Sequence, residues 1–176
     1  MSNRAIFLDR DGVINKIVIR DGKPGSPREL VEFEFAPGVG EQLDRLRAAG
    51  FKLFVATNQP DVARGMLARA ALDKMNELVI AKCRPDAIKI CPHDDRDRCE
   101  CRKPKPGMLI ELAREHRIAL TESYLIGDSR KDAMAARAAG CKSILLDRPY
   151  NQGDPADWRV PDLQRAVDLI LSETQS

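Results

Sequence analysis

Apolar residues along this chain fall into two kinds of pattern. Short unbroken runs read as buried strands, while segments with apolar residues every three or four positions read as amphipathic helices. Residues 5–8 and 53–57 are clear runs of the first kind. Residues 88–90 form a weaker third, 124–126 a fourth and 143–146 a fifth. Helical periodicity covers about 40–49, 69–82, 108–116, 131–139 and 162–171. Gly50 and Gly140 stand just past two of these helices, where a C-cap favours positive φ. Strands alternating with helices predict an α/β fold, Rossmann-like, with a mainly parallel sheet covered by helices on both faces.

Two segments break the alternation. Residues 17–23 read as a β-hairpin turning at Asp21-Gly22. Residues 92–106 are dense in Cys, Asp, Arg and Pro, and read as an irregular loop organised by a metal. With 176 residues and neither internal repeat nor convincing linker, one domain over 1–176 is expected.

Composition narrows the function classes. Basic and acidic residues nearly balance, 29 against 27, which favours neither a nucleic-acid-coating surface nor an acidic tail. The first apolar run is too short for a signal peptide or a membrane span, so a cytoplasmic location is expected. The expected partner is a small phosphorylated metabolite, with no nucleic acid or membrane, and the protein is expected to be a monomer.

In parallel sheets, ligands collect beyond the carboxyl ends of the strands. Asp9-Arg10-Asp11-Gly12 follows the first run, and two carboxylates two residues apart can face one side of an extended chain. Phosphomonoester hydrolysis needs a nucleophile, a proton donor and neutralisation of phosphoryl charge, so one aspartate could attack while the other serves as acid and then base. Thr57-Asn58 follows the second run and offers donors to phosphoryl oxygens. Arg102-Lys103-Pro104 precedes a helix, where Lys103 could stabilise the transferring group. Gly127-Asp128 follows the fourth run, and Asp128 could complete a hard-cation site with Asp9. Asp132 fits either that site or a helix N-terminus. Each cluster alone reads as well or better as a surface turn. Their order, each after an apolar run, points to a phosphoryl-transfer site.

Those motifs resemble the haloacid dehalogenase (HAD) superfamily of phosphatases, from Ala5 to about Tyr150. The resemblance implies an aspartyl-phosphate on Asp9, general acid/base chemistry at Asp11, and Thr57 and Lys103 holding the phosphoryl group. It implies Mg²⁺ on the Asp9 carboxylate, the Asp11 main-chain carbonyl and Asp128, with Asp132 as a possible neighbour of that site. No stretch between the motifs is long enough for a large cap domain.

Cys91, His93, Cys99 and Cys101 place three thiols and an imidazole within eleven residues. Cys₃His is a closed set suited to structural Zn²⁺. Cys83 and Cys141, in apolar surroundings, read as core residues. The zinc loop narrows the resemblance to the branch containing heptose-bisphosphate and histidinol-phosphate phosphatases. Asn15, Ala63-Arg64-Gly65 and the segment Arg102-Lys103-Pro104 resemble the heptose enzymes, in which Arg102 would contact substrate, implying removal of the 7-phosphate of a heptose 1,7-bisphosphate. The short spacing from His93 to Cys99 is more like the histidinol-phosphate enzymes, and Ser129 stands where a lysine often occurs in the heptose enzymes. Gly38-Val39-Gly40 lacks the third glycine of a dinucleotide loop and reads as a helix start; His116 reads as a surface residue at a helix end; Trp158 has no assigned role.

Overall fold

The computed structural model describes residues 3–174. Its strands, in chain order, are β1 (Ala5–Leu8), β2 (Val18–Arg20), β3 (Lys23–Gly25), β4 (Lys52–Asn58), β5 (Ala87–Cys91), β6 (Tyr124–Gly127), β7 (Lys142–Leu146) and β8 (Trp158–Val160). Six of them form one sheet in the order β5-β4-β1-β6-β7-β8, with every pairing parallel. The register sets Leu8 beside both Val55 and Ile126, so β1 and β6 end close to one level and β4 runs on to Asn58. The residues that follow them therefore share one edge of the sheet.

Side chains of a strand alternate between faces, and β1 divides the core accordingly. Ile6 and Leu8 join Leu53, Val55, Ile126 and Ile144 on one face, beneath α1 (Val39–Ala48), part of α2 (Arg69–Cys83) and α5 (Leu163–Glu173). Ala5 and Phe7 join Phe54, Ala56 and Leu125 on the other, beneath α3 (Gly107–His116) and α4 (Arg130–Ala139). Burial on both faces is why these strands read as unbroken apolar runs. Each fully buried Leu, Ile or Phe contributes roughly 1.5–3 kcal/mol. Cys83 and Cys141 are core residues, as expected.

Helix ends follow their local chemistry. Gly50 and Gly140 take φ of +85° and +82°. Ser129 and Asp132 form a reciprocal capping box at the start of α4, and the Asp162 side chain accepts from the Arg165 N–H at the start of α5. The hairpin turns at Asp21-Gly22, both with positive φ.

One strand escapes the sequence pattern. β8 is three residues long, half-buried and at the sheet edge, too short for periodicity to register. It gives Trp158 a structural place, paired with Ile144 and with its ring 6.1 Å from that of Tyr124. His116 departs from a purely surface position: its ring lies 4.7 Å from that of Phe54. No helix among the described residues is long and apolar enough to cross a membrane.

Candidate active site

The strand ends open onto a cleft of about 270 Å³, lined by Asp9, Asp11, Asn58, Arg102, Lys103, Asp128 and Asp132 from the expected set. The hairpin supplies part of the opposite wall through Pro24, Gly25 and Ser26. A larger groove between α1 and α5 contains none of these groups.

Lys103 organises the floor. Its Nζ lies 2.6 Å from Asp132 Oδ1 and 3.0 Å from Asp9 Oδ1, with all three side chains largely or wholly buried. Burial alone would disfavour its charge, but Asp132 and Asp9 outweigh that and hold its pKa above the ordinary lysine value. Asp132 also accepts from the Ser129 N–H and hydroxyl. It is thus both the capping acid of α4 and a partner of Lys103. Asn58 accepts from the Lys103 N–H and donates to the Lys103 carbonyl, each at 3.0 Å. Its amide therefore positions the lysine segment.

Oxygens of Asp9, Asp128 and Asp132 lie within 4.8 Å of one another. Burial, then the charge of Asp132, pushes Asp128 up to about 7. Burial also raises Asp9 well above the carboxylate range, since its acidic neighbours add to burial and Lys103 does not cancel them. Buried carboxylates converging with too little positive charge suit a hard divalent cation. Two glycines make the cluster possible by close approach. A Cβ on Gly127 would come 2.3 Å from Asp132 Cβ, and one on Gly12 would come 2.0 Å from Asp128 Oδ2.

Asp11 sits in a different environment. Arg10 Nε and Nη2 donate to its Oδ1 at 3.1 and 3.0 Å, Asn15 adds a bond at 2.9 Å, and Gln59 donates to Oδ2 at 2.7 Å. Burial would raise its pKa, yet the Arg10 charge and bonds from Asn15, Ser26 and Gln59 bring it below the ordinary value. Gln59 also donates to the buried Thr57 hydroxyl at 2.9 Å, tying the end of β4 to Asp11.

Cys91, His93, Cys99 and Cys101 converge as expected. Sulfur–sulfur distances are 3.1, 3.5 and 3.6 Å, and His93 Nδ1 lies 3.3 Å from Cys101 Sγ and 3.6 Å from Cys91 Sγ. A tetrahedral zinc would separate its ligands by roughly 3.5–3.8 Å, so a slight expansion fits this set. The loop it organises carries Asp95, which receives Arg102 Nε at 2.7 Å.

A family model described as "HAD-hyrolase-like" matches residues 100–162, the stretch holding Lys103, Asp128 and Asp132. Over 96% of this chain and 98% of the relative, the sequence is 32% identical to D-glycero-beta-D-manno-heptose-1,7-bisphosphate 7-phosphatase of Helicobacter pylori. The chain belongs to the heptose-bisphosphate phosphatase family. The Escherichia coli member is 36% identical over 96% of this chain and 88% of its own. The structure of D,D-heptose 1.7-bisphosphate phosphatase from B. bronchiseptica, complexed with magnesium and phosphate, matches with a TM-score of 0.84 at 32% identity, covering 97% of this chain and 99% of that one. Family membership places this chain among the phosphoric monoester hydrolases with a HAD fold.

Several residues that position the cleft carboxylates were given no such role by the sequence. Arg10, fully buried, also donates to Asn76 Oδ1 of α2 at 3.1 Å. Gln59 lies directly after Thr57-Asn58, and its bond to Asp11 became visible only in the structure; Asn15, already singled out in the sequence, proves to be a second amide on Asp11. Tyr150 carries no local signal. It comes from the loop after β7, donates its hydroxyl to Asp128 Oδ2, and sits beside Asn151, whose Nδ2 bonds the carbonyls of Asp128 and Leu146 at 2.8 Å.

Proposed function

We propose that the enzyme removes the 7-phosphate of D-glycero-beta-D-manno-heptose 1,7-bisphosphate through an acyl phosphate on Asp9. The observation that carries this reading is Asp9 at the end of β1, 3.0 Å from Lys103 Nζ and beside the Asp128 carboxylate.

Mg²⁺ would be held by the Asp9 carboxylate, the Asp11 main-chain carbonyl and Asp128, where, when bound, it supplies positive charge to the phosphoryl oxygens. Lys103 adds a second positive charge from the floor, and Thr57 offers its hydroxyl to the same group. In the first step Asp9 forms a bond to phosphorus while the ester P–O bond breaks, and the leaving alkoxide takes a proton from Asp11. Asp11 is ionised in its present surroundings; an incoming phosphate dianion raises its pKa and favours protonation. In the second step Asp11 takes a proton from water. The resulting hydroxide attacks phosphorus, the bond to Asp9 breaks, and phosphate and the free carboxylate return. Asp132 keeps Lys103 charged and placed. The cysteine–histidine set would hold a structural Zn²⁺ whose four positions are filled by protein, leaving no open site for chemistry.

The reading includes a single domain over 1–176, acting as a cytoplasmic monomer without nucleic-acid or membrane partners. The near balance of basic and acidic residues supports the part of it that concerns nucleic acid. Histidinol phosphate is the second candidate substrate, favoured by the short spacing of the zinc loop. Phosphate release from both compounds and from other small sugar phosphates discriminates the two: heptose bisphosphate should give the highest kcat/KM, and a clear preference for histidinol phosphate overturns the substrate. Asp9→Asn should lower kcat on the order of 10³-fold or more and abolish acid-stable protein labelling from labelled substrate. Retained turnover in that variant would sink the mechanism.

A further inference from the structure

Asp9 and Asp128, the side chains that would hold Mg²⁺, each have one carboxylate oxygen engaged and the other free. Asp9 Oδ1 accepts from the Arg10 N–H at 2.8 Å and lies 3.0 Å from Lys103 Nζ, whereas Oδ2 has no hydrogen-bond partner among the described residues. Asp128 Oδ2 accepts from the Tyr150 hydroxyl, and its Oδ1 has no partner among the described residues. Asp132 differs: Lys103 takes its Oδ1, and the Ser129 N–H and hydroxyl take its Oδ2. A cation is therefore offered single oxygens by Asp9 and Asp128, while the third acid is fully occupied.

That arrangement discriminates between divalent ions. Ca²⁺ takes about six to eight oxygens in flexible geometry and accepts both from one carboxylate. Mg²⁺ is smaller and demands a near-ideal octahedron, in which the two oxygens of one carboxylate stand too close together to fill adjacent corners. Tyr150 lies on a braced loop, so its hydroxyl meets Asp128 from a fixed direction. Asn151 Nδ2 bonds the Asp128 carbonyl at 2.8 Å, and Arg159 Nη2 donates to Asn151 Oδ1 at 2.9 Å. From the same loop, Arg148 Nη2 donates to the carbonyl of Gly12, the glycine packed against Asp128 Oδ2, at 3.0 Å. We propose that Tyr150 is a positioning residue that selects Mg²⁺ over Ca²⁺, because by occupying Oδ2 it keeps Asp128 a one-oxygen ligand. This rests on the reading that places the cation between Asp9 and Asp128. It gives Tyr150 no part in making or breaking bonds.

The test is the ratio of Kd for Ca²⁺ to Kd for Mg²⁺, measured calorimetrically with each metal alone in wild type, Tyr150→Phe and Asp128→Asn. Wild type should prefer Mg²⁺; a wild type that binds Ca²⁺ more tightly overturns the proposal without recourse to any variant. Tyr150→Phe keeps the ring and removes only the hydroxyl, so its ratio should fall about tenfold, the scale on which outer partners of metal ligands act. A general loosening of the site weakens both ions alike and leaves the ratio where it was, and that result overturns the role of Tyr150. Asp128→Asn tests the underlying placement of the cation. It should lose Mg²⁺ binding, and undiminished Mg²⁺ binding there overturns the metal site itself. Lost binding in Asp128→Asn with an unchanged ratio in Tyr150→Phe overturns the selectivity role alone.

Discussion

Asp128 shares with Asp9 an electrostatic conflict at the floor of the cleft. It is buried among acids, and its proton is held up to about 7, against 3.8 for an ordinary aspartate. Without a cation, the folded chain binds a proton between those values that the unfolded chain has already released. This contribution to stability is therefore full below about pH 3.8 and is lost as pH rises through about 7. A cation displaces the protons held by Asp128 and Asp9, so Mg²⁺ affinity should rise as pH rises towards 7. Calorimetric titration in buffers of different ionisation heat should show more protons released on Mg²⁺ binding at pH 6 than at pH 8. An affinity flat across this range would contradict the assignment of Asp128. Asp11 shows the opposite solution at the same edge, with Arg10, Asn15 and Gln59 stabilising its ionised form.

The elements that frame the cleft are irregular and held by charge and sulfur. Arg28 pairs with Asp61 at 2.7 Å, Asp61 with Arg64 at 3.3 Å, and Arg64 with Asp94 at 2.6 Å. This chain of ion pairs runs from the segment after the hairpin to the zinc loop. Individually such partly exposed pairs are weak, so a zinc on the cysteine–histidine set would supply most of the loop's stability. Elemental analysis should find about one zinc per chain. Cys99→Ser or Cys101→Ser should lose it, weakening the bond from Asp95 to Arg102 and raising KM more than it lowers kcat. Wild-type protein prepared without chelator and containing no zinc would refute the structural-metal reading.

For the whole molecule, the cleft is stitched from the ends of β1, β4 and β6 and from the loop after β7, so a ligand there bridges segments distant in sequence. Binding to the folded state alone stabilises it by about 2.7 kcal/mol at a hundredfold excess over Kd. Mg²⁺ with inorganic phosphate should therefore raise Tm by roughly 5–10 °C in a protein of this size. Asp128→Asn should lose most of the Mg²⁺-dependent part. An equal shift in that variant would place the ions elsewhere.

The central strands were legible in the sequence because parallel strands buried on both faces must be apolar throughout, as Ile6, Phe7, Val55 and Ile126 are. β8 was not, because an edge strand of three residues leaves too little pattern to read. Asp9, Asp11 and Asp128 could be proposed because strand ends mark where a parallel sheet gathers ligands, Lys103 because it precedes a helix after a weaker apolar run, and four cysteine and histidine ligands at close spacing announce themselves. What only the tertiary structure decided is how each group is tuned. Lys103 meets Asp132 across 29 positions, Gln59 reaches Asp11 across 48, and Tyr150 reaches Asp128 across 22. The local chain determines which residues stand at a strand end. Charge state and partners depend on burial and through-space distance, which exist only once the sheet has brought those ends together.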